Sequence, residues 1–338
     1  MCSVNAEEID RLYSQFEVEE CKYFLKPSFR TYMRLYHKDS SHLPVSKDWG
    51  QRAAVIDTSF KPFIGNIQEF EIRDDDVWIV TFPKCGTTWT QEMTWLLLND
   101  LDFEKAKNND MTVRSPFLEY SAIYRDSGVN SFDECVKLSS PRLIKTHLPM
   151  PLLPKQLWSK KAKIIYVARD PRDVAVSNYY HKSGVGIYKG EKKEHFQKLL
   201  SDDYNYCSYW DHVLEFWSIR EQQNILFLTY EQMKTDLKKV VERVGDFLGK
   251  EVSPKQMDLL LDHLSFEKMS ANKSCNHEHE VENTRRILNH NDDSFKFMRK
   301  GKSQGFKEEM DEEMLTAFNE WIDHNLKPLD LTLERLLH

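Results

Sequence analysis

The chain has 338 residues and a formal net charge of −7, and 40% of its residues are hydrophobic. This composition excludes a wholly disordered chain, and the negative charge argues against bulk affinity for nucleic acid or anionic membranes. An anion site in this protein must therefore be built from a few local cations.

The start of the chain is acidic and lacks the apolar core of a signal peptide, and no apolar run reaches the roughly 18 residues of a membrane span. The six cysteines include no C-x-x-C pair. We therefore expect a cytoplasmic protein with reduced thiols and no metal site.

Residues 1–70 show no clear periodic pattern, and we predict that they form a helical and loop extension packed on one domain of residues 71–338. Within that domain, four short apolar runs predict buried strands: Val77–Phe82, Arg142–Lys145, Lys163–Ala168 and Asn224–Thr229.

Amphipathic stretches such as Val213–Arg220 and Lys238–Leu248 predict helices between and after these strands. The alternation indicates an α/β fold with a mostly parallel central sheet flanked by helices. Ligands of such sheets bind beyond the carboxyl ends of the strands, and each motif described below follows a predicted strand.

The stretch TFPKCGTTW, residues 81–89, joins the first of these strands to a predicted helix. A glycine-containing turn before a helix presents backbone N–H groups to an anion, and Lys84, Thr87 and Thr88 add a charge and two hydroxyls. An ordinary strand–helix turn remains the alternative. A nucleoside triphosphate loop would place lysine directly after a second glycine, whereas Lys84 precedes Gly86.

A cysteine nucleophile at Cys85 is disfavoured because a cysteine phosphatase needs arginine six positions later, where this chain has Gln91. The stretch instead resembles the 5′-phosphosulfate loop of the cytosolic sulfotransferases, in which serine is usual at the position of Cys85. The resemblance implies that these residues hold the 5′ end of 3′-phosphoadenosine 5′-phosphosulfate (PAPS) and that Trp89 flanks the adenine. The residues so implied are Lys84, Cys85, Gly86, Thr87, Thr88 and Trp89.

The segment SPRLIKTHLP, residues 140–149, is similar to the K-T-H-L-P segment of the same family. In an extended segment Lys145 and His147 project to one face. The resemblance implies that His147 is the general base and that Lys145 and Lys84 offset charge on the transferring sulfuryl group. The unperturbed pKa of histidine, near neutrality, suits this role. A surface histidine at a strand end is the alternative.

The segment YVARDPRDVAVS, residues 166–177, resembles the family segment that assigns Arg169 and Ser177 to the 3′-phosphate. Asp170 replaces the usual asparagine. Further along, the resemblance assigns adenine contacts to Tyr230, Ser265 and Phe266, with Leu264 in place of a threonine. It assigns the other 3′-phosphate contacts to the family's F-M-R-K-G segment, which here is Met298, Arg299, Lys300 and Gly301.

The resemblance covers roughly residues 75–310 and implies a P-loop-kinase-like sulfotransferase fold without a metal. The long N-terminal extension is similar to the arthropod-type branch. The usual dimer segment is not matched, since Asp311 and Glu312 replace Thr-Val, so a monomer is expected. Pro83, Phe117 and His147 are expected to line the acceptor pocket.

The leading hypothesis is transfer of a sulfuryl group from PAPS to a small apolar hydroxyl compound, which leaves 3′-phosphoadenosine 5′-phosphate (PAP). The alternatives are a PAPS-dependent dehydratase of a retinoid-like alcohol and a nucleotide-binding protein with weak catalysis. The acceptor itself is not predicted.

Overall fold

A computed structural model describes residues 16–21, 32–38, 40–50, 53–123, 130–292 and 294–338. The strands are β1 Phe16–Cys21, β2 Tyr32–His37, β3 Ala53–Asp57, β4 Val77–Thr81, β5 Leu143–Thr146, β6 Lys163–Ala168 and β7 Ile225–Thr229.

The α-helices are α1 Ile64–Gln68, α2 Thr87–Leu98, α3 Phe103–Asn108, α4 Met111–Arg114, α5 Tyr120–Ile123, α6 Ser131–Lys137, α7 Gln156–Lys160, α8 Pro171–Gly184, α9 Lys192–Leu200, α10 Tyr209–Ser218, α11 Tyr230–Thr235, α12 Leu237–Leu248, α13 Pro254–His263, α14 Phe266–Ala271, α15 Glu278–Leu288, α16 Glu312–Leu326 and α17 Leu333–Leu337. Short 3₁₀ turns lie at Thr58–Phe63, Met150–Leu152, Gly305–Glu308 and Lys327–Leu329.

The central sheet has the strand order β5-β4-β6-β7, and all of its neighbouring strands are parallel. Side chains alternate between its two faces, so Trp78 and Val80 of β4 join one core cluster while Val77 and Ile79 join the other. Both faces are therefore covered. The predicted α/β architecture is confirmed, and the four predicted strands agree with the observed ones to within one or two residues.

The described part of the N-terminal extension differs from the prediction of helix and loop. Strands β1, β2 and β3 form a separate antiparallel sheet in that order. Backbone bonds from Val55 N–H to the Cys207 carbonyl (3.1 Å) and from Tyr206 N–H to the Val55 carbonyl (2.7 Å) attach this sheet to the rest of the chain. Its buried residues Phe16, Tyr32 and Met33 belong to the same core cluster as Trp78. The division at residue 70 stays a prediction.

In the described part of the chain, no helix is both long and apolar enough to span a membrane.

Candidate active site

A cavity of about 970 Å³ lies at the carboxyl end of the parallel sheet. Every residue predicted to form the site, apart from Cys85, lines this cavity. These residues are Pro83, Lys84, Gly86, Thr87, Thr88, Trp89, Phe117, Lys145, His147, Arg169, Ser177, Tyr230, Ser265, Phe266, Met298, Arg299, Lys300 and Gly301. The motifs up to Tyr230 converge because the parallel strands all end at one edge, and residues 265–266 and 298–301 reach the cavity from helices and loops beyond the last strand.

The cradle, residues 84–89, is the turn between β4 and the N-terminus of α2. Gly86 has a left-handed backbone with φ of 100°, and a Cβ there would lie 2.9 Å from the ring of Tyr230. Gly86 occupies the N-cap position of α2 and makes no side-chain cap hydrogen bond. The first N–H groups of the helix therefore face the cavity without the usual cap, which suits an anion.

Lys84 supplies the positive charge of the cradle. Its ammonium lies 3.9 Å from the ring centroid of Phe297. Burial, and then the nearby charges of Lys145 and Arg169, lower the pKa of Lys84 to about 7. Three cations held this close in a partly desolvated cavity repel one another, and a bound polyanion relieves that repulsion.

His147 follows β5 and lies at the cavity wall. Its Nδ1 is 2.8 Å from the carbonyl oxygen of Thr81, which can only accept a hydrogen bond, so Nδ1 carries the hydrogen. The other ring nitrogen, Nε2, has no hydrogen-bond partner among the described residues and is left with its lone pair. Burial, and then Lys145, hold the pKa of His147 well below its usual value. The neutral imidazole that remains is the form a general base requires.

Glu119 fixes the backbone that carries this histidine, and sequence reasoning missed it. Its carboxylate accepts bonds from the His147 N–H (2.7 Å) and from the Thr146 hydroxyl (2.8 Å). Burial raises the pKa of Glu119 to about 7, although these bonds oppose the rise. Its position two residues after Phe117 is the only sequence signal, since nothing in a periodic pattern marks a buried carboxylate.

Lys145 and His147 do meet, as their spacing predicted, but they meet across the ring of Phe117. The Lys145 ammonium lies 4.3 Å from that ring centroid, and the His147 and Phe117 ring centroids are 5.1 Å apart. Phe117 reaches this place through a bridge to Lys145 at the edge of β5.

Arg169, at the end of β6, connects the cradle to the basic rim, residues 298–302. Its two terminal nitrogens donate to the carbonyls of Lys84 and Lys302, each at 3.0 Å. Its Nε is buried and has no hydrogen-bond partner among the described residues. A buried donor without a partner is costly, so this nitrogen fits a site for an anionic oxygen.

The basic rim is held by acidic side chains of the following turn. Arg299 lies 3.4 Å from Glu309, and Lys300 lies 3.1 Å from Glu308. Gly301 has a positive φ of 59°, and a Cβ there would lie 2.3 Å from the ring of Phe266. A side chain at position 301 would therefore clash with Phe266.

An aromatic pair lines the part of the cavity next to α2 and α11. The rings of Trp89 and Tyr230 meet edge to face with centroids 5.8 Å apart. Ser265 caps α14 by accepting a bond from the Lys268 N–H, and Leu264 is fully buried while lining the cavity. Flat rings of this kind are suited to a stacked base.

The two remaining departures from the family pattern do not place their side chains in the cavity. Cys85 is fully buried in the core, and burial raises the pKa of its thiol. Asp170 accepts bonds from the Arg172 N–H (2.9 Å) and guanidinium (2.6 Å), so its carboxylate caps α8. Neither residue is placed to act on a ligand through its side chain.

Comparison with known proteins agrees with this geometry. The family model described as a sulfotransferase domain matches residues 74–330. A luciferin sulfotransferase of Photinus pyralis is 38% identical over 80% of this chain and 77% of its own length. Sulfotransferase 1B1 of Canis lupus familiaris is 40% identical over 70% of this chain and 78% of its own length.

Among solved structures, two complexes of retinol dehydratase resemble this fold. The complex with retinol and PAP has a TM-score of 0.78 and 30% identity, and the likeness covers 98% of this chain and 97% of that one. The complex with androsterone and the inactive cofactor PAP has a TM-score of 0.79, also with 30% identity, covering 97% and 96%. The chain therefore belongs to the sulfotransferase family and is a PAPS-dependent sulfotransferase.

Proposed function

We propose that this enzyme transfers the sulfuryl group of PAPS to the hydroxyl of a small apolar acceptor, with His147 as the general base. The observation that carries the proposal is the hydrogen bond between His147 Nδ1 and the Thr81 carbonyl. It places the ring hydrogen on Nδ1 and leaves Nε2 as the acceptor, while burial and Lys145 keep the ring neutral, in a cavity that also contains the cradle.

The residues of the cavity divide the work of binding the donor. Lys84, Thr87 and Thr88 would hold its 5′ end, and Arg169, Ser177 and the basic rim would hold its 3′-phosphate. Trp89 and Tyr230 would enclose the adenine. When bound, the donor supplies the sulfuryl group and leaves as PAP.

His147 receives the proton of the acceptor hydroxyl at Nε2 while the acceptor oxygen forms its bond to sulfur and the bond from sulfur to the 5′-phosphate oxygen breaks. Lys84 and Lys145 flank this place and offset negative charge on the departing oxygen. Protein charge and positioning account for this chemistry, so it calls for no metal. Among the described residues, no group of His, Cys, Asp and Glu suited to a metal is present.

Aromatic side chains around His147 support an apolar acceptor. The rings of Phe117 and Tyr206 lie 5.1 and 5.8 Å from the histidine ring, and Tyr120 packs against Phe117. Tyr32 of the N-terminal sheet also lines the cavity. A ring-bearing hydroxyl compound such as a phenol, a steroid, an amine-bearing phenol or a retinoid-like alcohol suits these walls.

Dehydration of a retinoid-like alcohol is the second candidate. It is favoured by the likeness to retinol dehydratase over 98% of the chain, which includes the N-terminal sheet that contributes Tyr32. In this case a sulfate ester would form first, and it would then lose sulfate and a proton from its carbon chain to give the dehydrated product.

One experiment separates these functions. The protein is incubated with labelled PAPS and a panel of phenols, steroids, catecholamines and retinoids, and the product mass is recorded. A product heavier by one sulfuryl group supports transfer, and one lighter by a water molecule supports dehydration. PAP binding without turnover on any acceptor would contradict both and support a nucleotide-binding protein with weak catalysis.

We also propose that the protein is a cytosolic monomer. Asp311, which replaces a residue of the usual dimer segment, caps α16 by accepting a bond from the Met314 N–H at 2.8 Å. Light scattering on the purified protein would test this, and a mass twice that of the 40.1 kDa chain would contradict it.

A further inference from the structure

A histidine outside the motifs discussed so far contacts the cradle. His277, which immediately precedes α15, has its Nε2 3.1 Å from the Thr88 hydroxyl. Its Nδ1 contacts the carboxylate of Glu280 one turn into the helix. The His277 side chain is only 10% exposed, and its ring packs on Phe297 with centroids 4.6 Å apart.

The chemistry of the three groups fixes where the hydrogens lie. A carboxylate only accepts, so the Glu280 contact places a hydrogen on His277 Nδ1. If the ring is neutral, its Nε2 accepts the single hydrogen of the Thr88 hydroxyl. If the ring is protonated, Nε2 donates to the Thr88 oxygen, and the hydroxyl hydrogen is released for another acceptor.

The balance of the charges around His277 decides between these two forms. Glu280 favours the protonated ring, and the charge of Lys145 also acts on Glu280. Lys84, which shares the Phe297 ring with His277, adds positive charge, and His279 acts on Glu280 from the same helix. Burial holds the pKa of His181 of α8 well below its usual value, so that ring is neutral. An anion in the cradle adds negative charge and tips this balance towards the protonated ring.

We infer that His277, held by Glu280, is a positioning residue of the nucleotide site that turns the Thr88 hydroxyl towards the bound anion and takes up a proton as the nucleotide binds. The inference rests on the proposed role of Thr88 in holding the 5′ end. His277 keeps a left-handed backbone with φ of 57° to make these contacts, as residues at functional sites often do.

Calorimetric titration of PAP into the full-length protein tests this inference. Repeating the titration near neutral pH in buffers of different ionisation enthalpy gives the number of protons taken up per nucleotide. Lys84 also contributes, because a pKa of about 7 leaves it partly neutral before binding. The role of His277 is therefore read from differences between variants.

His277→Gln keeps an amide at the Thr88 hydroxyl but does not titrate. We expect it to take up fewer protons than the wild type and to bind PAP about tenfold more weakly, the effect of one charge-assisted hydrogen bond. His324→Gln is the control, since His324 is an exposed histidine on α16 that does not line the cavity. It should equal the wild type in both measurements.

Thr88→Val keeps His277 and Glu280 but removes the hydroxyl between the ring and the anion. Its proton uptake should fall below that of the wild type by the same amount as in His277→Gln. If thermal unfolding shows that His277→Gln does not fold, Thr88→Val provides the test of the inference. Equal proton uptake by the wild type and Thr88→Val, or by the wild type and a folded His277→Gln, would overturn the inference.

No acceptor is present in these titrations. A failure of the proposed acceptor chemistry would therefore leave this result unchanged. If PAP did not bind the wild type at all, the nucleotide function itself would be overturned together with the role of His277.

Discussion

The cradle and the basic rim are both built to hold anions, but they do so in opposite ways. The cradle is one continuous turn whose backbone N–H donors face the cavity. Its Lys84 ammonium is buried, and neighbouring cations repel it. The rim is more exposed, and Arg299 and Lys300 are already paired with Glu309 and Glu308. A bound anion therefore relieves the repulsion between cations in the cradle. At the rim, the anion must replace the carboxylates of Glu309 and Glu308 as the partner of Arg299 and Lys300.

From this difference we infer which region contributes to the reaction and which contributes mainly to nucleotide affinity. Relief of repulsion in the cradle favours a ligand charge that sits beside Lys84, Lys145 and His147, where the reaction takes place. Pairs at the rim are worth little because solvent screens them, so exchanging them costs little. We expect substitutions near the cradle to affect turnover and substitutions near the rim to affect affinity.

The largest effect is expected at the catalytic end. His147→Ala removes the proposed base and should lower turnover by about 10²- to 10⁴-fold. PAP affinity, measured by calorimetry, should stay close to that of the wild type because the imidazole does not hold the nucleotide. His324→Ala is the control, as His324 is an exposed histidine on α16. Turnover that survives in His147→Ala would exclude it as the base.

Arg169 joins the two regions, and its loss should weaken PAP binding by about 10- to 100-fold, the range expected for a hydrogen bond to a charged group. Binding of the analogue without the 3′-phosphate should change much less. Arg172→Ala is the matched control, because Arg172 pairs with Asp170 instead of lining the cavity. An equal loss for both nucleotides would mean that Arg169 acts by holding the Lys84 and Lys302 loops in place.

The repulsion in the cradle should appear as a dependence of affinity on pH. A lysine whose pKa is lowered to about 7 is charged below that pH and loses its charge above it. Since the charged form binds the anion, PAP affinity should fall as pH rises above 7, by at most about tenfold per pH unit. Lys84→Met should bind weakly with a flatter pH profile, and Lys107→Met, on the exposed part of α3, should follow the wild type. A wild-type affinity that does not change above pH 7 would contradict this account of the cradle.

Removing an acidic side chain from the rim should strengthen PAP binding, whereas removing the cradle lysine should weaken it. Bonds from Lys192 and Tyr180 outweigh partial burial and lower the pKa of Glu309 to about 2, so this carboxylate stays charged and competes for Arg299. Glu309→Gln should therefore tighten PAP binding by about 1.5- to 5-fold, with turnover unchanged. Glu313→Gln, an exposed acid paired with Lys193, is the control. Weaker PAP binding by Glu309→Gln would show that Glu309 orients the rim and does not compete for it.

The central sheet and part of the cavity wall could be predicted from the sequence because the segments around Lys84, Lys145 and Arg169 lie at or directly after strands. Strands such as Lys163–Ala168 are continuous apolar runs, and parallel strands bring their ends together whatever the distance between them along the chain. The fold therefore needed only local patterns and one rule of topology, whereas the roles of the cavity residues, and the choice of residues 264–266 and 298–301, came from the family resemblance.

The rest depends on contacts between segments that no local pattern connects. Glu119 reaches the His147 N–H and His277 reaches Thr88 across 28 and 189 positions of the chain. The N-terminal sheet was missed because β2, with the sequence YMRLYH, mixes arginine and histidine with its apolar residues. Its buried positions become evident only once its partner strands and the core beneath them are known.

The smallest effect on turnover is expected at Cys85, whose side chain we expect to contribute nothing to binding or catalysis in the cradle. The thiol is buried and its pKa is raised, so it is neither exposed nor ionised as a nucleophile must be. Cys85→Ser should keep turnover within about twofold of the wild type while lowering the free energy of unfolding by about 1–3 kcal/mol, since a hydroxyl replaces a thiol in the core. Cys135→Ser, at another fully buried thiol that does not itself line the cavity, is the matched control for that stability loss. A folded but inactive Cys85→Ser would restore the cysteine as a reacting group and would mean that backbone donors and Lys84 alone do not explain this turn.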